Sequence, residues 1–121
     1  MVLLDTSVWI DHLRRGDSRA ATLLEQGDVA CHQLVIGELA CGSLIRRTEI
    51  LSLLEALPQA PQATHSEILG FIDQHRLHGK GLGLIDMHLL WSASKQAHVL
   101  WTRDRRLRKM AQQLATIPGW S

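Results

Sequence analysis

The sequence predicts an α/β fold: a three-layer α/β/α sandwich around a mostly parallel sheet of roughly four or five strands. Three observations predict it. Short apolar runs without polar alternation, such as Met1–Leu4, suit strands buried on both faces, and His98–Thr102 is the clearest strand after that one. Longer segments between them place apolar residues at helical spacing. Strands that alternate with helices are joined by crossovers, so the strands run parallel.

The first strand, Met1–Leu4, ends at Asp5. Thr6 or Ser7 can cap a helix that runs to about Arg14, with Val8, Trp9 and Leu13 apolar. Gly16-Asp17-Ser18 stops that helix and starts another over Arg19–Gln26, which Gly27 closes. Val29–Cys31 is a second short strand, and a helix over Gln33–Cys41 ends at Gly42. The spacing of Leu51, Leu54 and Leu57 predicts a helix over Arg46–Ala56. Pro58 and Pro61 bracket a third strand at Gln59–Gln62. Thr64–Leu77 is amphipathic, with Ile68, Leu69 and Ile72 on one side. Three glycines within His78–Gly83 require a loop. A strongly apolar helix over Leu84–Ala97 follows, then the strand His98–Thr102 and a basic helix over Asp104–Leu114. Thr116-Ile117 can form a last edge strand before Pro118-Gly119.

The 121 residues suit one domain, spanning 1–121. With 45% hydrophobic and 21% charged residues, the chain can bury a core, which excludes disorder. Thirteen basic and twelve acidic side chains leave a net charge of +1, so bulk charge alone does not hold the chain to nucleic acid. Any such binding needs a local patch. Cys31 and Cys41 form no CxxC pair and are expected to be reduced, small core residues. No apolar run reaches the roughly 18 residues of a membrane helix. The N-terminus lacks a basic leader, and Asp5 interrupts its apolar run, so a cytoplasmic protein without signal peptide is expected. No GxxxxGK[ST] loop occurs, and neither Cys31-His32 nor His75-x-x-His78 has the partners of a zinc site.

The informative residues are acids in apolar surroundings. Asp5 ends a buried strand, Glu38 lies in Val35-Ile36-Gly37-Glu38-Leu39-Ala40, and Asp86 lies in Leu84-Ile85-Asp86-Met87. A buried carboxylate costs about several kcal/mol unless something compensates it. Asp104 follows the strand Leu100-Trp101-Thr102 by one residue. Open α/β sheets place their sites beyond the carboxyl ends of the strands, so these four acids are expected to converge on one rim. A hard divalent cation, with its preference for oxygen ligands, is the physical reason to gather them. Taken singly, each acid could instead cap a helix or pair with an arginine. His88, two residues after Asp86, is the histidine nearest to them in sequence.

With these segments in view, the chain resembles the PIN-domain family, and within it the VapC-type toxins. The residues that carry the resemblance are Leu3-Leu4-Asp5-Thr6-Ser7-Val8-Trp9-Ile10-Asp11, Val35-Ile36-Gly37-Glu38-Leu39, Gly81-Leu82-Gly83-Leu84-Ile85-Asp86-Met87-His88-Leu89-Leu90 and Leu100-Trp101-Thr102-Arg103-Asp104-Arg105-Arg106-Leu107. The resemblance implies a Mg²⁺- or Mn²⁺-dependent endoribonuclease that inhibits translation by cutting tRNA or ribosomal RNA. It implies a homodimer silenced by a VapB-type antitoxin, whose tail often sets an arginine in the acid pocket. The family's four acids fall on Asp5, Glu38, Asp86 and Asp104, with Asp5 and Asp86 expected as the most direct metal ligands. Thr6, Ser7 and Thr102 are the hydroxyls beside the site, orienting ligands or donating to phosphate. Hydrolysis by metal-activated water implies products with 5′-phosphate and 3′-hydroxyl ends.

RNA also needs positive surface near the acids. Lys80, Arg103, Arg105, Arg106 and Arg108 are adjacent in sequence to the proposed ligands, as are Lys109 and Arg14-Arg15. Aromatic readout of bases is not supported: Tyr is absent, Trp9, Trp91 and Trp101 read as core, and Trp120 alone is a candidate for exposure. The Leu-rich helices at Leu44–Leu57 and Ile68–Leu77 are candidates for a dimer face or an antitoxin groove. Other functions stay in view: a housekeeping PIN nuclease in RNA maturation, and a catalytically silent RNA- or partner-binding PIN module. A receiver-type domain is disfavoured, because it needs a strand-end Asp midway along the chain and a late strand-end Lys.

Overall fold

The computed structural model describes residues 1–114. Its elements run β1 (Val2–Leu4), α1 (Thr6–Arg15), α2 (Ser18–Glu25), β2 (Val29–Ala30), α3 (Gln33–Ala40), α4 (Arg47–Ala56), α5 (His65–His75), α6 (Leu84–Gln96), β3 (Val99–Trp101) and α7 (Arg105–Leu114). Among the described residues the sheet has three strands in the order β2-β1-β3, all parallel. The expectation of four or five strands is corrected in one place. Gln59–Gln62 makes a single parallel bridge, Cys31 to Gln59, held by Cys31 N–H to Pro58 O and Ala60 N–H to Cys31 O at 2.8 Å each. Proline offers no N–H to a ladder, and Pro61 ends it there. The expected edge strand at Thr116-Ile117, like Trp120, lies outside the described residues.

Local chemistry explains the helix starts. Asp5, rather than Thr6 or Ser7, caps α1: its Oδ1 accepts from the Thr6 N–H at 2.8 Å. Asp17 caps α2 by accepting from the Ala20 N–H at 2.9 Å. Thr64 and Glu67 form a reciprocal capping box on α5. At α3 the cap is a histidine. His32 is 1% exposed, and burial, then the charge of His88, pushes its pKa down to about 4. The neutral ring can therefore accept from the Leu34 N–H through Nδ1, at 3.0 Å.

The core lies against both faces of β1, where Leu3 and Leu4 are fully buried. Val8 and Trp9 from α1, Val35 and Leu39 from α3, Leu89 and Leu90 from α6, and Leu107 from α7 close around it. Cys31 joins this core, and burial pushes its thiol up to about 12. Cys41 does not: it is exposed at the end of α3, beyond the last apolar turn.

β1 is the central strand. The chain passes from it to β2 on one side and to β3 on the other, so the strand order reverses beside β1. In an open parallel sheet the crevice at such a reversal lies past the carboxyl ends of the strands. Asp5 and Thr102 stand there, one residue after β1 and β3 respectively.

Candidate active site

Asp5 is the anchor. Its backbone N–H donates to Trp101 O at 2.9 Å, which ties the end of β1 to the end of β3. Only 8% of the residue is exposed. While Oδ1 caps α1, Oδ2 accepts two hydroxyls, from Ser7 at 2.9 Å and from Thr102 at 2.6 Å. Thr102 Oγ1 in turn accepts the Asp104 N–H at 3.0 Å, and Ser7 Oγ accepts the Arg103 N–H at 3.1 Å. The turn after β3 is thereby fastened to the carboxylate after β1.

Glu38 reaches the same place from α3, where its Oε1 accepts the Thr6 hydroxyl at 2.6 Å. Asp86 sits in the first turn of α6 and accepts the Gly83 N–H at 2.9 Å, closing the glycine loop onto the helix. These side chains line an open cavity of about 520 Å³ together with Ser7, Gly83, Leu84 and Ile85. Asp104 is not among the lining residues. It is exposed, and its Oδ1 caps α7 by accepting from the Leu107 N–H at 3.0 Å.

Electrostatics nevertheless unites the four acids. The Asp86 carboxyl is raised above the ordinary 3.8: burial contributes most, opposed by the Gly83 N–H, and the negative charges of Asp5, Asp104 and Glu38 add to it. Among the described residues, none of the four has a basic group within ion-pair distance. Their partners are neutral hydroxyls and backbone N–H groups. The argument from costly burial therefore holds for Asp5 alone: Asp86 is half-buried and Glu38 is exposed.

The basic residues divide. Arg103 is engaged on the protein itself, bonded to Asp11 and, at 2.9 Å, to Asp17. Arg106 lies against the glycine loop, so that a Cβ at Gly81 would come within 2.5 Å of its Nη1; Gly81 also holds φ +77°. A side chain there would be strained by that φ and would push the Arg106 guanidinium aside. Arg108 reaches Thr102 O at 3.4 Å, and Lys80 and Arg105 are exposed. Sequence reasoning missed Arg19 and read Trp101 as core, against which the residue packs. The indole is only half-buried, with the Arg19 guanidinium 4.7 Å and the Arg103 guanidinium 5.8 Å from the ring centre. The two arginines are 84 positions apart in the chain, so no sequence pattern marks the cluster.

Glu38 has a second neighbourhood. On its other side an apolar groove of about 370 Å³ is lined by Ile10, Leu13, Leu39, Leu44, Ile45 and Ile50 among others. Ile45 is 88% exposed there.

Comparison with known proteins gives consistent findings. A family model, the PIN domain, matches residues 2–113. Ribonuclease VapC32 of Mycobacterium tuberculosis strain CDC 1551 / Oshkosh is 49% identical over 109 residues, which cover 89% of this chain and 88% of that one. Ribonuclease VapC32 of strain ATCC 25618 / H37Rv has the same identity and coverage.

Proposed function

Because the chain belongs to the PIN-domain family, we propose that it is a Mg²⁺- or Mn²⁺-dependent endoribonuclease toxin of a VapBC-type pair, cleaving tRNA or ribosomal RNA. The observation that carries this reading is the set of four carboxylates without a cationic partner, three of them lining one cavity and the other three all raising the Asp86 carboxyl. Similarity over most of the chain to a ribonuclease that bears a VapC name supports the toxin reading above a housekeeping one.

The donor set fits a hard cation. Every candidate ligand is an oxygen, although among the described residues no group of three or more His, Cys, Asp or Glu side chains stands close enough together to hold a metal ion by itself. An open carboxylate set suits Mg²⁺, which keeps several of its waters. Asp5 and Asp86 would be the most direct ligands, with Glu38 and Asp104 contributing to a second ion or orienting water. Once bound, the cation supplies Lewis acidity toward phosphate and water acidic enough to ionise near neutral pH.

The chain's own residues prepare this. Ser7 and Thr102 fix the rotamer of Asp5, and Thr6 fixes that of Glu38. Lys80, Arg105, Arg106 and Arg108 form the basic rim toward which RNA phosphates are drawn. The apolar groove leading to Glu38 is the proposed seat of the antitoxin, and Leu53 and Leu69 leave apolar surface for pairing of two copies. Among the described residues no helix is long and apolar enough to cross a membrane. A cytoplasmic place accords with the proposed RNA targets.

The test is cleavage of bulk tRNA and ribosomal RNA by the purified chain, with and without Mg²⁺ or Mn²⁺. Discrete metal-dependent cuts with 5′-phosphate ends, lost in Asp5→Asn and Glu38→Gln, are expected. A 2′,3′-cyclic phosphate product overturns the mechanism, since it reports attack by the RNA's own 2′-hydroxyl.

A further inference from the structure

Arg19 has no ion-pair partner among the described residues. It occupies the second position of α2, where a cation works against the helix dipole. Asp17, which caps the same helix, takes the Arg103 guanidinium instead. What Arg19 touches is the indole of Trp101, 4.7 Å from the ring centre.

Trp101 is itself held from two sides. Its carbonyl accepts the Asp5 N–H, so the residue is fixed beside the central acid. Arg103, anchored by Asp11 and Asp17, lies against the same ring at 5.8 Å. One arginine is thus neutralised and buttresses the indole. The other has no carboxylate to meet its charge among the described residues. A guanidinium stacked on an aromatic face is oriented in advance and loses little freedom on binding a planar or tetrahedral anion.

We propose that Arg19, stacked on Trp101 beside Asp5, is a phosphate-positioning contact for the RNA strand entering the acidic cavity. The contact reads the sugar–phosphate backbone and no base, so it orients the strand without choosing its sequence. Its link to the acids runs through Trp101, whose ring it covers and whose carbonyl accepts the Asp5 N–H. This inference rests on the ribonuclease reading of the cavity.

The experiment measures binding of bulk tRNA to the full chain carrying Asp5→Asn, across a KCl series. Arg19→Gln is expected to weaken binding severalfold and to lower the salt slope by about 0.7 to 0.9, the contribution of one phosphate contact. Arg76→Gln, at an exposed residue at the end of α5 that is no part of this contact, is expected to leave that slope in place. Arg19→Lys should retain the slope yet bind more weakly, since lysine keeps the charge and loses the planar stack. Melting curves of the three variants separate folding defects from lost contacts. An Arg19→Gln protein that melts normally and binds with the parent's affinity and slope overturns the inference alone. A parent that binds no RNA at any salt overturns the ribonuclease reading and this contact with it.

Discussion

Two groups of carboxylates flank helix α1, and the protein treats them oppositely. Asp11 and Asp17 share one guanidinium, that of Arg103. Asp5, Glu38, Asp86 and Asp104 receive only hydroxyls and backbone N–H groups. Arg103 touches both groups, with its side chain on the first and its backbone N–H on Ser7, which holds Asp5. An arginine cancels the field of the acids it binds. A neutral donor fixes a carboxylate in space and leaves its charge available to a cation that arrives later. The difference between a structural acid and a candidate ligand is therefore the charge of its partner, more than its depth.

The largest effect that can break this comparison is on cleavage. Asp5→Asn should lower RNA cleavage by about 100-fold or more, the scale of several kcal/mol of metal-assisted stabilisation, while Asp11→Asn keeps turnover near the parent's. Equal losses in both variants would erase the distinction. Next in size is the response to metal. Mn²⁺ at about 100 times its dissociation constant should stabilise the chain by about 2.7 kcal/mol per site, seen as a higher melting temperature. The shift should shrink in Asp86→Asn and persist in Asp17→Asn. A melting curve indifferent to Mn²⁺ in the parent removes the preformed site.

Arg103→Ala should cost about 1 kcal/mol in urea unfolding, the upper range for partly exposed pairs. That cost should fall as salt screens the two acids it leaves behind. The smallest effect is the most pointed, because the two groups should titrate with opposite sign. Asp17 is lowered below 3.8, mainly by the Ala20 N–H, with Arg103 among the lesser causes. Its contribution to stability is present above 3.8 and is lost as pH falls through the lower folded value. Asp86 is raised above 3.8, so its contribution is present below 3.8 and is lost as pH rises through the higher folded value. Without metal at neutral pH, Asp17→Asn should therefore destabilise and Asp86→Asn should stabilise. Both differences should fade in acid, which urea titrations at a series of pH values can read.

Much of the fold was legible from local chemistry. Apolar runs ending at Asp5 and Trp101 mark β1 and β3, Gly16 and Asp17 mark the break between α1 and α2, and the glycines of His78–Gly83 mark the loop before α6. The segment Gln59–Gln62 read as a strand because two prolines bounded it, yet the same prolines leave it too few donors for more than one bridge. The acids were legible as a set, but the reason first attached to them was too broad, since Glu38 is exposed and Asp104 stands outside the cavity lining. Cys41 read as core because free cysteines are usually buried, although it falls one residue past the end of α3.

The sequence by itself determined the order of elements, the position of each acid relative to a strand end or helix start, and the resemblance to a family. These depend on neighbours in the chain: hydrophobic spacing, caps, glycine and proline. Only the tertiary structure decided which acids meet an arginine and which meet hydroxyls, that Trp101 turns a face to Arg19, and that Glu38 borders both a polar cavity and an apolar groove. Those outcomes join residues far apart in the chain, such as Asp5 with Thr102 and Asp17 with Arg103. Coulomb and hydrogen-bond energies depend on distance in space, which one-dimensional spacing does not contain.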